Sequence, residues 1–401
     1  MLRPDTLALT ALLALISALG PVSTDMYLPS LPDIGRLLAA TPAQVQLTLS
    51  VYLIAFAVGQ IGYGPISDRY GRRPVLLASL AIFSVATVLC AIAASIELLI
   101  LARALQALGG SGAIVVVRAI VRDLYSGARA GRELSMMGTI MALAPIIAPL
   151  AGGVLHAGFG WRSNFLVATM VGVIAGLIVW RSLPETLRAR SPEPMSLSGM
   201  LRGFGILLQH AGFRAHVTIL AASFAGLFAW ISGSAFVLQD LYHLSPFSFG
   251  AAFAACSVGY MIGTSLAAYA VGRLGLDRTI GLGCGIQAAG GIGMAACLAL
   301  GLTDIASVLV ATVVYLIGLG LVLPQVMAGA MTPFPDRAGA ASSLLGFAMQ
   351  TSAAILGAIV GHQLGASAWP IAGPMALMGA LALIVWMMAG SLRETDGKHA
   401  K

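Results

Sequence analysis

The sequence predicts an all-α polytopic membrane protein, twelve transmembrane helices in two pseudo-symmetric six-helix bundles. Three observations carry this reading. Of the 401 residues, 59% are hydrophobic and only 9% charged, with a mean hydropathy of +0.94, whereas soluble domains carry about 25% charged residues. The apolar runs reach about 20 residues, the length a helix needs to cross ~30 Å of hydrocarbon. They are continuously apolar rather than alternating, which excludes a closed outer-membrane barrel.

In chain order the apolar stretches lie near 7–28, 44–65, 74–94, 97–121, 134–157 and 162–183, then 213–235, 246–270, 279–300, 304–329, 338–362 and 370–391. The first follows Arg3 and superficially resembles a secretory signal. It lacks an A-x-A site and leads into further spans, so it reads as a retained first helix. One long polar connection, Pro184 to Gly212, is rich in Arg, Pro and Ser. It predicts an N-terminal bundle over 1–183, a cytoplasmic linker over 184–212, and a C-terminal bundle over 213–401 that ends in a short cytoplasmic tail.

Orientation follows from the basic residues. With both termini cytoplasmic, 18 of the 22 Arg and Lys fall in cytoplasmic segments. Only Arg36 and Arg162 fall outside, while Arg103 and Arg118 lie within the fourth span. A count wrong by one helix would scramble this ratio. The formal net charge of +7 is therefore read as loop anchoring, not as affinity for nucleic acid.

Several chemistries are excluded. Both lysines, Lys398 and Lys401, lie in the C-terminal tail, so there is no P-loop Lys after a glycine run and no Schiff-base Lys. Cys90, Cys256, Cys284 and Cys297 fall inside apolar runs without metal-ligand spacing and read as buried free thiols. No HExxH or clustered ligand set occurs, so no metal and no cofactor is expected.

The halves echo each other. Asp68-Arg69-Tyr70-Gly71-Arg72-Arg73 joins spans two and three, and Gly272-Arg273-Leu274-Gly275-Leu276-Asp277-Arg278 joins spans eight and nine, 204 residues later. Parallel six-helix halves with a site near the midplane describe one large class of secondary transporter. Gly64-Pro65-Ile66-Ser67-Asp68-Arg69-Tyr70-Gly71-Arg72-Arg73 resembles the signature loop of the major facilitator superfamily. Arg103-Ala-Leu-Gln106-Ala-Leu-Gly109-Gly110 is similar to the fourth-helix motif of its drug:proton antiporters. Asp25-Met26-Tyr27-Leu28-Pro29 resembles the first-helix signature of the bicyclomycin and chloramphenicol/florfenicol resistance subfamily.

Asp25 is the leading candidate for proton coupling. It is the one acid clearly preceded by a long apolar helix, since Asp5, Asp33, Glu97, Asp240 and Asp304 lie at or beyond span ends. A carboxylate in the membrane is costly, and protonation neutralises it. The alternative is an interfacial acid hydrogen-bonded to the outer loop. Arg103 is the expected partner, about six residues (~9 Å) in from the outer end of span four. An unpaired arginine there would be expensive, and the alternative is a structural salt bridge that never titrates. In the antiporters that the chain resembles, the corresponding arginine is tied to proton coupling.

The Gly64–Arg73 segment reads as a conformational latch, with Gly71 permitting a tight turn, Arg69, Arg72 and Arg73 anchoring at the cytoplasmic face, Asp68 capping a helix or pairing with an arginine, and Asp123 holding Arg72. Plain topology anchoring is its rival. The second copy has Gly272 in place of the acid, so the latch is expected to be asymmetric. Span five carries Pro145, Pro149, Gly152 and Gly153, which kink a helix and allow close approach. The resemblance places an antiporter motif there, imperfectly matched because Ala144 precedes Pro145. Tyr52, Phe56, Gln106, Trp230, Phe236, Gln325 and Gln350 are polar or aromatic residues inside spans that could line a central cavity, with core or lipid-facing packing as the alternative for each. His156 and His362, at matching outer ends of spans five and eleven, read as interfacial hydrogen-bonding groups.

Together these features and the resemblance imply a monomeric exporter in the bacterial inner membrane, driven by the proton gradient and carrying small amphiphilic antibiotics. The nearest rival is the same fold moving an endogenous metabolite, as exporter or proton symporter. An intramembrane enzyme would need a convergent nucleophile and base or a metal set, and none is found. A passive channel would give single-channel currents in place of saturable, pH-driven flux.

Overall fold

The computed structural model describes residues 6–125, 127–187, 197–334, 337–365 and 367–390. Arg3, Arg188, Arg190, Arg393, Lys398 and Lys401, used above for orientation, lie outside them. The helices are α1 (Leu7–Asp25), α2 (Leu31–Leu37), α3 (Pro42–Tyr70), α4 (Arg72–Ala91), α5 (Ile96–Leu124), α6 (Gly127–Phe159), α7 (Arg162–Ser182), α8 (Leu197–Gln209), α9 (Ala211–Phe236), α10 (Pro246–Leu274), α11 (Leu276–Ala299), α12 (Ile305–Met331), α13 (Ala338–Gln363) and α14 (Trp369–Met388). A 3₁₀ turn, Leu28–Ser30, joins α1 to α2, and a π turn, Val237–Leu241, extends α9. Taking α1 through α2 as one 31-residue span, eleven helical segments are long and apolar enough to cross a bilayer, and the apolar part of α6, Leu143–Phe159, is a shorter twelfth. The chain is a multi-pass, all-α membrane protein.

The helix starts are written into the sequence. Thr41 and Gln44 form a reciprocal capping box ahead of α3, Ser95 accepts from the Leu98 amide ahead of α5, and Asp304 accepts from the Ser307 amide ahead of α12. Each satisfies an amide that a helix N-terminus leaves without an intrahelical partner.

Two compact units emerge, one from residues 1–195 and 245–253, the other from 196–244 and 254–401. In the first, Leu9, Leu13 and Ile16 of α1 pack with Leu76, Leu80 and Phe83 of α4, Val116, Val117 and Ile120 of α5, and Val179 of α7. In the second, Phe213, Ile219 and Leu220 of α9 pack with Ile280 and Cys284 of α11, Val322 and Val326 of α12, and Leu345 of α13. Leu207 of α8 joins that core, so the polar connection between the halves contains a helix docked on the second unit. Large apolar side chains such as Val58, Val85, Leu177, Trp180, Leu377 and Met388 stay exposed. Lipid tails cover such surface without cost.

Two boundaries differ from the sequence expectation, each for a local reason. The first span does not stop at residue 28. Pro29 and Pro32 remove amide donors and break the helix, but both sit at first-turn positions, so helix resumes as α2. The Gly64–Arg73 segment is hardly a loop: residues through Tyr70 belong to α3, Arg72 opens α4, and Gly71 alone makes the corner with φ +105°. Only glycine adopts that backbone without strain. In the other half a single glycine, Gly275 with φ +79°, joins α10 to α11 in the same way.

Candidate functional site

The first unit is organised around Arg103. Its side chain is completely buried, and the elements that receive it follow from the break in the first span. Helix ends leave their last carbonyls without amide partners, and the carbonyl of Ser23, in the last turn of α1, accepts from Arg103 Nη1 at 2.9 Å. A cation there also meets the negative end of the helix dipole. The same Nη1 donates to Gln106 Oε1 at 2.5 Å, one turn along α5, and Gln106 Nε2 donates to Thr87 Oγ1 of α4 at 2.9 Å. The guanidinium lies over two phenol faces, 4.5 Å from the Tyr27 centroid and 4.2 Å from that of Tyr52. A desolvated cation–π contact is worth about 2 kcal/mol, and an arginine inside a spanning helix costs about 2.5–3.5 kcal/mol on insertion scales. Two such contacts are enough to hold the charge. Among the described residues Nε and Nη2 have no hydrogen-bond partner of good geometry, so the tyrosine faces hold those sides.

Asp25, the last residue of α1, is buried 7% exposed, and its Oδ1 accepts from Thr24 Oγ1 at 3.0 Å. The expected Asp25–Arg103 ion pair does not form. The freed Ser23 carbonyl and the two tyrosine faces intercept the guanidinium, leaving the Asp25 carboxyl with a hydroxyl donor and, among the described residues, no cation.

Three of the residues expected to line a cavity sit at this cage. Tyr52 lies under Arg103, Phe56 stacks on Tyr52 with centroids 5.9 Å apart, and Gln106 bonds Arg103; all three are buried. Gln106 also lines a cavity of about 10 Å³, together with Val22, Ser23, Met26, Tyr27, Asn164, Phe165 and Ala168, which has room for about one water. In the second unit Trp230, Phe236 and Gln350 are buried and Gln325 half-buried. An apolar groove of about 300 Å³ there is lined by residues of α9, α13 and α14 such as Ala221, Ser352 and Met378, and by none of these four.

At the other end of the first unit Arg72 is the hub. Its Nη1 meets Asp68 Oδ1 at 2.6 Å and donates to Ser67 Oγ at 2.7 Å, while its Nε donates to Asp123 Oδ2 at 2.9 Å. A residue that sequence reasoning missed completes the cluster. Glu185 accepts from the backbone amides of Arg72 at 2.9 Å and Arg73 at 3.1 Å, which satisfies the N-terminus of α4. A Cβ on Gly71 would lie 2.6 Å from the Glu185 carboxylate, whereas among the described residues nothing lies within 4 Å of one on Gly275. Arg73 Nη2 donates to the Trp180 carbonyl at 2.6 Å, Arg69 lies over the Tyr70 ring, and Gly64 stands in open space. All of these contacts run within the first unit.

On α6, Pro149 is buried and Pro145 half-buried. The two glycines face different neighbours: a Cβ on Gly152 would lie 1.7 Å from the Met26 carbonyl oxygen, and one on Gly153 would lie 2.6 Å from that of Pro246 at the start of α10. Gly152 thus lets α6 press against the residue after Asp25.

A second polar array lies beside this corner, built on His156, which the sequence reading placed as an interfacial hydrogen-bonding group, with partners it did not single out. His156 Nε2 meets Asp33 Oδ2 at 2.5 Å, His156 Nδ1 meets Ser30 Oγ at 2.9 Å, and Asn164 Nδ2 donates to Ser30 Oγ at 3.1 Å. His362 is exposed. Asn164, an amide alone in an apolar span, was the available signal.

Comparison with known proteins agrees with this architecture. The profile of the Major Facilitator Superfamily matches residues 13–358. "Uncharacterized MFS-type transporter YdgK" of Bacillus subtilis (strain 168) is 32% identical over 89% of this chain and 89% of its own. "Multidrug resistance protein D" of Escherichia coli (strain K12) is 28% identical over 99% of this chain and 100% of its own. "Bicyclomycin resistance protein homolog" of Haemophilus influenzae (strain ATCC 51907 / DSM 11121 / KW20 / Rd) is 29% identical over 93% and 92%. A membrane unit built around one caged arginine, a glycine-cornered signature segment and a profile match over most of its length make this chain a member of the major facilitator superfamily.

Proposed function

We propose that the chain is a proton-coupled exporter of small amphiphilic antibiotics, of the drug:proton antiporter type, working in the bacterial inner membrane with both termini cytoplasmic. A proton enters from outside onto Asp25, and a drug-like molecule leaves as the two bundles alternate access to a central site. The proton gradient supplies the energy, about 2.3 kcal/mol per charge per 100 mV, and no bound cofactor takes part. The observation that carries the reading is Asp25: a buried carboxyl at the end of α1 whose recorded partner is one hydroxyl, two residues beyond the carbonyl that anchors a buried arginine. The printed names of two relatives, for multidrug and bicyclomycin resistance, support the substrate class.

The test is efflux from proteoliposomes under an imposed pH gradient, with wild type and Asp25→Asn, using a phenicol and a fluorescent cation in parallel. Wild type is expected to move one of them against its gradient and Asp25→Asn to lose the coupled component while retaining expression. Normal proton-driven transport by Asp25→Asn removes Asp25 from the mechanism. If folded wild type moves neither compound, the substrate class fails and an endogenous metabolite becomes the reading to pursue.

A further inference from the structure

The Asp33–His156–Ser30–Asn164 array has no part in the mechanism above. It joins four elements, α2, α6, the 3₁₀ turn and the start of α7, through side chains up to 134 residues apart in sequence. His156 and Asn164 are buried, Ser30 fully so, and Asp33 is partly open. A carboxylate, an imidazole and a hydroxyl in line resemble a nucleophile with its base. Ser30 is sealed from solvent, however, and its oxygen already accepts from Asn164, so the array cannot attack a substrate. It can bind a proton.

We infer that Asp33, His156 and Ser30 form a second proton-binding site, distinct from Asp25, whose occupancy sets the geometry of the corner carrying Asp25 and Tyr27. In the neutral imidazole, Nε2–H donates to the Asp33 carboxylate and Nδ1 accepts from the Ser30 hydroxyl. One proton taken from water onto Nδ1 reverses that second bond. The imidazolium donates through both nitrogens, Ser30 Oγ receives from His156 and from Asn164, and its own hydrogen must turn to another acceptor in the 3₁₀ turn. Ser30 ends that turn and Tyr27 opens it, so the change falls on the segment between the α1 terminus and α2. The same α6 grips this segment one turn earlier, where Gly152 meets the Met26 carbonyl. Imidazole is the side chain whose ordinary titration range spans pH 5 to 8.

The charged groups around His156 are few. On α2 they are Asp33, in contact, and Arg36, which is paired with Asp33 Oδ1. On α7 Arg162 donates to the Ala93 carbonyl and lies over Trp161. On α1 Asp25 is bonded to Thr24, and on α5 Arg103 is held in its tyrosine cage. The start of α10 that packs on α6, residues 245–253, carries no titratable side chain. Among these, Asp33 alone makes a recorded contact with the ring.

The inference rests on the proton-coupled reading, and the experiment separates the two. Substrate-induced proton flux and drug efflux are measured in proteoliposomes across external pH 5 to 8 for wild type, His156→Gln and Asp33→Asn. Wild type is expected to show a change of at least threefold in maximal rate over this range. His156→Gln, which keeps a hydrogen-bonding side chain of similar reach, should flatten it to less than 1.5-fold while proton flux on adding substrate persists. Asp33→Asn should displace the profile along the pH axis. In parallel, histidine-selective labelling with NMR detection assigns the His156 resonance by its loss in His156→Gln. That resonance should titrate in wild type and move its midpoint in Asp33→Asn, a readout that does not require transport. A His156 resonance that does not titrate, or a wild-type pH profile retained in His156→Gln, overturns the second site. Absence of substrate-induced proton flux in wild type with a titrating His156 overturns the coupling reading instead.

Discussion

The two units resolve the same sequence plan into different interiors. In each half two long helices meet at a single glycine with positive φ, Gly71 in one and Gly275 in the other. Arg103 is the eighth residue of α5, and Thr312 is the eighth of α12. Yet the first unit buries Asp25, Arg72 and Arg103, whereas no Asp, Glu, Lys or Arg is buried among the described residues of the second. Among its described interior polar groups, Ser223 Oγ donates to Gln287 Oε1 at 2.9 Å, and Tyr315 donates to the Ser223 carbonyl at 3.2 Å. At the glycine corners Glu185 lies beside Gly71, while among the described residues nothing lies within 4 Å of a Cβ on Gly275. Backbone layout is thus shared while charge is concentrated in one half, and a charge buried in a membrane protein is the usual mark of function.

The comparison can be broken at Arg103 first. Lysine cannot reproduce a planar cation sandwiched by two phenols while bonding a carbonyl and an amide. Arg103→Lys should lower proton-driven efflux by about 100-fold (about 2.7 kcal/mol at 1.36 kcal/mol per decade), measured as initial rates in proteoliposomes. Thr312→Ala, at the equivalent helix position, should stay within about twofold, a difference of roughly 0.4 kcal/mol. Equal losses would erase the asymmetry. Next is Gly152→Ala. Its Cβ would overlap the Met26 carbonyl, and overpacking of this kind typically costs about 1–3 kcal/mol. A lower melting temperature and slower transport are expected, while Gly285→Ala, where nothing lies within 4 Å of the added carbon, should be silent.

Smaller effects sharpen the contrast at the corners. Glu185→Gln should cost about 1 kcal/mol, the scale of a lost helix cap, seen as a drop in melting temperature and as faster hydrogen exchange at the Arg72 and Arg73 amides. Smallest of all is Gln287→Leu. Among the described residues the Gln287 Nε2 has no hydrogen-bond partner, so losing the bond from Ser223 Oγ is offset by removing a buried unsatisfied amide, and the net change is expected to stay within about 0.5 kcal/mol. The pH dependence of transport should not move.

Much of this was legible in the residues. Twelve spans could be counted because each apolar run matches the bilayer in length, and Arg103 stood out as a charge inside one. Asp68, Gly71, Arg72 and Asp123 were readable because a glycine corner brings nearby acids and bases together. The partner of Arg103 was not. A carbonyl released by a helix break, and the faces of Tyr27 and Tyr52, compete with a carboxylate in ways that residue identity does not rank. His156 was readable as an interfacial hydrogen-bonding group, but its partners Ser30, Asp33 and Asn164 were missed for a different reason. Each is ordinary in its own segment, and only tertiary packing brings them together across more than 120 residues. Glu185 escaped because it binds backbone amides, which carry no sequence signal.

The Glu185 clasp also has a consequence for biogenesis. The carboxylate that secures the first amides of α4 is encoded 113 residues after Arg72. At ribosomal speeds of about 5–20 residues per second, that interval is roughly 6–23 s. During it α4 is already made, but its N-terminus waits unsecured until the sixth span has left the ribosome. Completion of the half-transporter is therefore timed by its last helix, and a nascent chain arrested just short of Glu185 would expose that end to proteases which the finished bundle resists.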